Sequence, residues 1–217
     1  MYPEGGGDLQ LNLNMLVDGH TGIEHALPQA PLYDDVVGLY AASGSGYTPT
    51  LLVAYGGVSG DAYYFQKHNP LNNPFVQAWF PAAQQARMLR RRGLFVADED
   101  WHHRAVAQAA GTLADAGVPV LLGAHGQIQG IGVHWELWAL ADGRAKNGAQ
   151  GALKGGTLDA AWYLGLERDL GSLEVGKIAD AVLLSQDLFE NPQHSLSIVE
   201  VMKDGIRYDP LTLERPK

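Results

Sequence analysis

An α/β fold, a parallel sheet covered by helices with a small β appendage at its C-terminal end, is what this 217-residue sequence predicts. Three observations carry that expectation. Helical and strand-like patterns alternate from Asp8 to Ala141, the order that builds parallel sheets. The run "VPVLLGAHG" at 118–126 is continuously apolar, as a parallel strand covered on both faces should be. Beyond Gly171 the alternation gives way to short apolar stretches between glycines, "GSLEVGKIADAVLL" and "IVEVMKDGIRYD".

The elements follow in order. Residues 8–18, "DLQLNLNMLVD", place Leu9, Leu13, Leu16 and Val17 on one helical face. Gly19 ends that pattern, and "TGIEHALP" reads as a short strand closed by Pro28. Residues 32–42 are helical, with Val36, Val37 and Tyr40 inward, and "YTPTLLVAYGG" is a strand ending in two glycines. The stretch from Val58 to about Asp100 reads as a long irregular loop over a site, rich in Tyr, Asn, Pro, Phe and Trp. Within it, Arg87 and Arg90 to Arg92 read as a solvated turn. Residues 101–116 are helical, and a last helix follows the strand at 118–126. Two units result: a main α/β unit over 1–168 and a small β unit over 169–217.

Composition narrows the function classes. Apolar residues make up 46% and charged residues 18%, enough for a sizeable core. A net charge of -9 with no basic stripe argues against nucleic-acid binding. The absence of cysteine removes disulfides and thiol catalysis. No apolar run approaches the ~18 residues of a membrane span. No charged start precedes an apolar core, so no signal peptide is visible.

In parallel α/β architectures, chemistry gathers at the carboxyl ends of the strands. Glu4, His25, Tyr55 and His125 hold those positions here. Two histidines and a carboxylate at successive strand ends suit a metal or acid/base cluster. Each histidine alone is equally readable as a hydrogen-bonded core or loop residue. Trp135 and Trp138 read as a packed helix face, and His134 and Glu136 as reaching the strand ends from the loop before that helix.

These segments together, "DGHTGIEHALP", "GYTPTLLVAYGG", "GAHGQIQGIGVHWELW" and especially "GSLEVGKIADAVLL", resemble the amidohydrolase superfamily of metal-dependent hydrolases. The resemblance is to its propeller-linked, imidazolonepropionase- and prolidase-like branch. It implies the C-terminal half of a (β/α)8 TIM-type barrel, beginning near the fifth strand, with part of a small β-sandwich. It also implies a divalent metal, zinc first, held by His25, His125 and Glu4, with His125 as ligand or general base. His134 would orient substrate, Tyr55 would polarise its carbonyl, and Glu136 and Gln127 would line the substrate site. The sequence departs from the family pattern in lacking any His-x-His pair and a counterpart of the fourth-strand lysine. The segment "ADGRAKNGAQGALKGGTLDAA" carries extra glycines and is expected to be irregular.

Three readings follow. The first is a metal-dependent hydrolase of amide or ester bonds acting on a small molecule, with metal-activated water as nucleophile. The second is a metal-independent esterase, for which Ser59 is the serine to test, since no Gly-x-Ser-x-Gly elbow occurs. The third is a non-catalytic module used in binding or assembly. Open half-barrel edges would expose unpaired backbone and apolar side chains, so a homodimer closing four strands on four is expected.

Overall fold

A computed structural model of the chain describes residues 1–217 other than 56, 94, 126, 127, 145–147, 216 and 217. Its centre is a row of short parallel segments in chain order. Glu4 bridges Glu24, strand β1 (Gly22–Glu24) pairs with β2 (Gly46–Thr48), and Tyr47 bridges Val120. The register is fixed by amide bonds such as Gly5 N to Glu24 O (2.7 Å) and Leu121 N to Tyr47 O (2.8 Å). Parallel strands need a crossover between them. Helices α1 (Leu9–Val17), α2 (Asp34–Ser43) and α6 (His102–Asp115) supply these. No closed barrel exists among the described residues.

Local chemistry sets the helix ends. The Asp8 carboxylate accepts from Leu11 N and starts α1. Asp34 and Asp35 sit in the first turn of α2, where the helix dipole favours them, and left-handed Gly44 stops it. Helix α7 (Ile131–Asp142) is buried nearly all round, from Trp135 to Ala141, as befits a central helix. The core is continuous from Ile23, Leu27 and Tyr47 through Leu51, Val106 and Leu113 to Trp135 and Leu140.

The structure corrects several expectations. The 58–100 stretch is helical in large part: α3 (Gly60–Lys67), α4 (Pro74–Trp79) and α5 (Ala82–Arg91). Asn73 accepts from Phe75 N and Val76 N ahead of Pro74, a start signal that six residues of helix are too short to echo as periodicity. The arginine run belongs to α5 rather than a turn. Arg91 pairs with buried Asp61 at 2.7 Å, and Arg92 donates to the Phe65 carbonyl. The glycine-rich stretch after Gly143 forms α8 (Gly148–Gly155) and α9 (Leu158–Tyr163). There the glycines permit contact: a Cβ on Gly155 would lie 2.3 Å from the Val120 carbonyl oxygen. On α1, Val17 is exposed, and Asn12 is buried because it bonds Gly6 at both ends of its amide. The run at 47–57 is strand only to Thr48, then turns into a 3-10 segment at Leu51–Val53.

The C-terminal sheet is antiparallel, β3 (Ala181–Leu184) against β4 (Ile198–Lys203) against β5 (Ile206–Tyr208). Asp204 and Gly205, both left-handed, make the tight turn between the last two. Among the described residues no helix is long and apolar enough to cross a membrane.

Candidate metal centre

Glu4, His25 and His125 end three of the parallel segments, and one ligand atom of each lies within 4.8 Å of the others. His25 Nε2 is 3.0 Å from Glu4 Oε1, and the two imidazole rings stand 4.9 Å apart, edge to face. His25 is buried and its Nδ1 has no hydrogen-bond partner among the described residues, while Glu4 and His125 are exposed. The backbone turns sharply where these side chains are presented. His25 (φ 71°), Thr50 (φ 49°) and His125 (φ 50°), in the segments that follow β1, β2 and the Val120 bridge, are all left-handed. Non-glycine residues rarely adopt that conformation, and they concentrate at functional sites.

Two imidazoles and a carboxylate are the donor types of a catalytic divalent-metal site, which keeps a further position open. The spread of 4.8 Å exceeds tetrahedral ligand spacing by about 1.4 Å, within the reach of side-chain rotation at exposed Glu4 and His125. His25 Nε2, held beside the Glu4 carboxylate, also suits a cation. The residues present therefore fit a divalent ion.

The remaining sequence candidates fall into different places. Tyr55 is near the cluster, its ring 5.8 Å from that of His25, and its hydroxyl donates to the Gly5 carbonyl at 3.3 Å. Gln127 lies outside the described residues. His134 and Glu136 are on α7 itself and not in the loop before it. Glu136 is fully buried, with Oε1 accepting from Leu51 N (2.7 Å) and Oε2 from Leu52 N (3.1 Å). Both oxygens are thus committed to the turn that follows β2, and the side chain braces that loop without facing the cluster. Burial pushes its carboxyl up to about 8, against the two amides, which favour the ionised form. His134 Nδ1 meets Ser195 Oγ at 3.0 Å, and burial holds its pKa down to about 4. The Ser59 hydroxyl donates to the Leu52 carbonyl at 2.5 Å ahead of α3.

Two groups escaped the sequence reading. Tyr163, on α9, donates to Glu24 Oε1 at 2.8 Å and lies across β1 and β2. Ser195 joins His134 and Trp138 from the C-terminal unit. A buried serine far along the chain gives no sequence signal; the paired glycines Gly22 and Gly46, which admit the Tyr163 ring, are the one trace of the first.

Parallel segments with crossover helices, and ligand-type side chains toward their carboxyl ends, define a protein of α/β architecture. The sequence profile of the amidohydrolase family matches residues 16–207, and the chain belongs to that family. A comparison with curated proteins brings up no match. Among solved structures the chain is similar to a Xaa-Pro dipeptidase with methionine bound in its active site (TM-score 0.63, 18% identity, 96% of this chain and 44% of that one). It is also similar to molinate hydrolase (0.63, 17%, 99% and 44%) and to phenylurea hydrolase B (0.61, 17%, 96% and 43%). The chain thus spans less than half the length of these structures, and at such identities the likeness is one of fold.

Proposed function

We propose that the chain carries the metal-binding and substrate-facing half of a hydrolase of amide or ester bonds. The observation that carries this reading is the convergence of Glu4, His25 and His125 on one point in a member of the amidohydrolase family. A divalent ion held by these three, zinc first, would act as a Lewis acid and make water nucleophilic at neutral pH. His25 is the anchor, because burial and a fixed backbone set its ring. Exposed Glu4 and His125 would close on the ion, or His125, left off the ion, would instead take a proton from the attacking water. Tyr55 would polarise a substrate carbonyl by exchanging its present hydrogen bond to the Gly5 carbonyl for one to the substrate.

The same reading treats 1–168 as half of a (β/α)8 barrel and 169–217 as a separate β unit. A second copy of the chain then closes the open sheet edges, giving a homodimer. The test is hydrolysis of a panel of ester and amide substrates by protein stripped with chelator and reloaded with zinc or manganese. Activity lost on stripping and regained on reloading is the expected result. Activity indifferent to chelator, or none in any metal form, would sink the proposal. A strictly monomeric species in light scattering would remove the dimer.

A further inference from the structure

Three glycines, Gly5 to Gly7, follow Glu4, and glycine gives up more conformational freedom on ordering than any other residue. The backbone beside the cluster should therefore be loose, yet it is held at four points. Gly5 N donates to Glu24 O at 2.7 Å, and the Gly5 carbonyl accepts from the Tyr55 hydroxyl at 3.3 Å. Glycine is required at that position, because a Cβ would lie 2.7 Å from the Glu24 carbonyl oxygen. Gly6 N donates to Asn12 Oδ1, and the Gly6 carbonyl accepts from Asn12 Nδ2, both at 2.9 Å. A backbone N–H only donates and a carbonyl only accepts, so the two contacts also fix which way round the Asn12 amide stands.

Asn12 is fully buried on α1, whose Leu9 and Leu16 pack into the core. An apolar side chain is the ordinary occupant of such a position, and a buried amide is costly unless it is hydrogen-bonded. Both ends of this amide are bonded, and to the same residue, Gly6. Glu4 lies two residues before Gly6 with its side chain largely exposed, so its approach to His25 Nε2 (3.0 Å) depends on where that backbone stands. The Tyr55 bond to Gly5 is the one given up when Tyr55 turns to a substrate carbonyl. Asn12 is then the side-chain clamp that persists.

We propose that Asn12 is a positioning residue for the metal. By closing its amide on Gly6 it fixes the backbone that carries Glu4, and so sets how strongly that carboxylate holds the ion. This rests on the reading of Glu4, His25 and His125 as a metal site, and Asn12 acts on that site only through Glu4. Zinc titration of the full chain against a competing chelating dye tests it. Asn12→Ala should weaken zinc binding about tenfold, the lower end of what losing a ligand's outer partner costs. In a Glu4→Ala background the same change should cost less than about twofold, because no carboxylate is left to position. Gly6→Ala should recover part of the N12A loss by stiffening the loop, since the nearest neighbour of its Cβ is Leu11 Cδ2 at 3.9 Å. An asparagine that served the fold alone would show neither the dependence on Glu4 nor the rescue. Amide exchange on the unaltered protein gives an independent reading: Gly6 N–H should exchange at least about tenfold more slowly than an unstructured glycine. Zinc binding unchanged in N12A, an equal loss in both Glu4 backgrounds, no rescue by G6A, or an unprotected Gly6 amide would overturn the proposal alone. A parent that takes up no zinc would overturn the metal reading, and the proposal with it.

Discussion

His25 Nε2 lies 3.0 Å from Glu4 Oε1, while the other nitrogen of the same buried ring has no partner among the described residues. A histidine held this way can exchange one exposed carboxylate contact for a metal at little cost, since Glu4 keeps its freedom to move. His25→Ala should reduce bound zinc from near one ion per chain to background by plasma mass spectrometry. Glu4→Gln should weaken binding by about tenfold or more, the scale expected for losing one charged donor. Zinc at saturating concentration should raise the melting temperature of the parent and not of H25A, because a ligand stabilises only the state it binds. An equal rise in both would show that the zinc sits elsewhere.

Glu136 supplies the second prediction. Its two oxygens cap the amides of Leu51 and Leu52 and so hold the turn between β2 and Tyr55. Above pH 8, where the carboxylate is ionised, Glu136→Gln replaces one acceptor with a donor and leaves a buried amide unsatisfied, which costs about 1–3 kcal/mol. Denaturant unfolding of the variant measures it. A loss below about 0.5 kcal/mol would show that the turn holds itself.

The same residue should give stability a pH dependence. Burial raises the Glu136 carboxyl to about 8, well above its ordinary value. Between the unfolded and folded values the native state binds more protons, so its contribution is full below the unfolded pKa and is lost as pH rises toward 8. Melting temperature should therefore fall across roughly pH 5 to 8, by about 2–4 °C for each kcal/mol lost. E136Q should flatten the curve. A parent curve that rises through this window, or a variant that keeps the fall, would contradict the assignment.

The placement of Glu4, His25 and His125 was readable because a parallel strand delivers its last residue to one face of the sheet, and the strands were marked by apolar runs and glycines. Helices α4 and α5 were not. Six to ten residues barely complete two turns, and their aromatic and polar content mimics a loop. Glu136 was misread for another reason. It was read as reaching the strand ends from the loop before the helix, whereas its burial with two backbone partners depends on where Leu51 and Leu52 arrive in space. The left-handed φ of His25 and His125 likewise has no signature in those residue types.

Arg91 is predicted to matter for stability through the charge it compensates. Asp61 is nearly wholly buried, and Arg91 is its ion-pair partner at 2.7 Å among the described residues. Removing the guanidinium leaves that carboxylate with little compensation. Because Arg91 is itself half-exposed, Arg91→Ala should cost about 2 kcal/mol, below the 3–5 kcal/mol seen for wholly buried pairs. The double variant Asp61→Asn with R91A should recover part of the loss. If it recovers none, the Arg91 contact with the Phe65 ring, and not the ion pair, holds α3 to α5.

The last prediction concerns the paired glycines Gly22 and Gly46, which face each other across β1 and β2. A Cβ at Gly22 would lie 2.0 Å from the Tyr163 hydroxyl oxygen, and one at Gly46 would lie 2.8 Å from the Tyr163 ring. The ring cannot simply swing aside, because its hydroxyl is tied to Glu24 at 2.8 Å and its body is buried. Gly22→Ala should therefore destabilise by about 1–3 kcal/mol, the usual cost of overpacking a filled site. Combining it with Tyr163→Ala should cost less than the sum of the two single changes, since the obstacle and the cavity offset each other. Additive losses would mean that the ring and the glycines do not share the space, and that α9 is held to the sheet by other contacts.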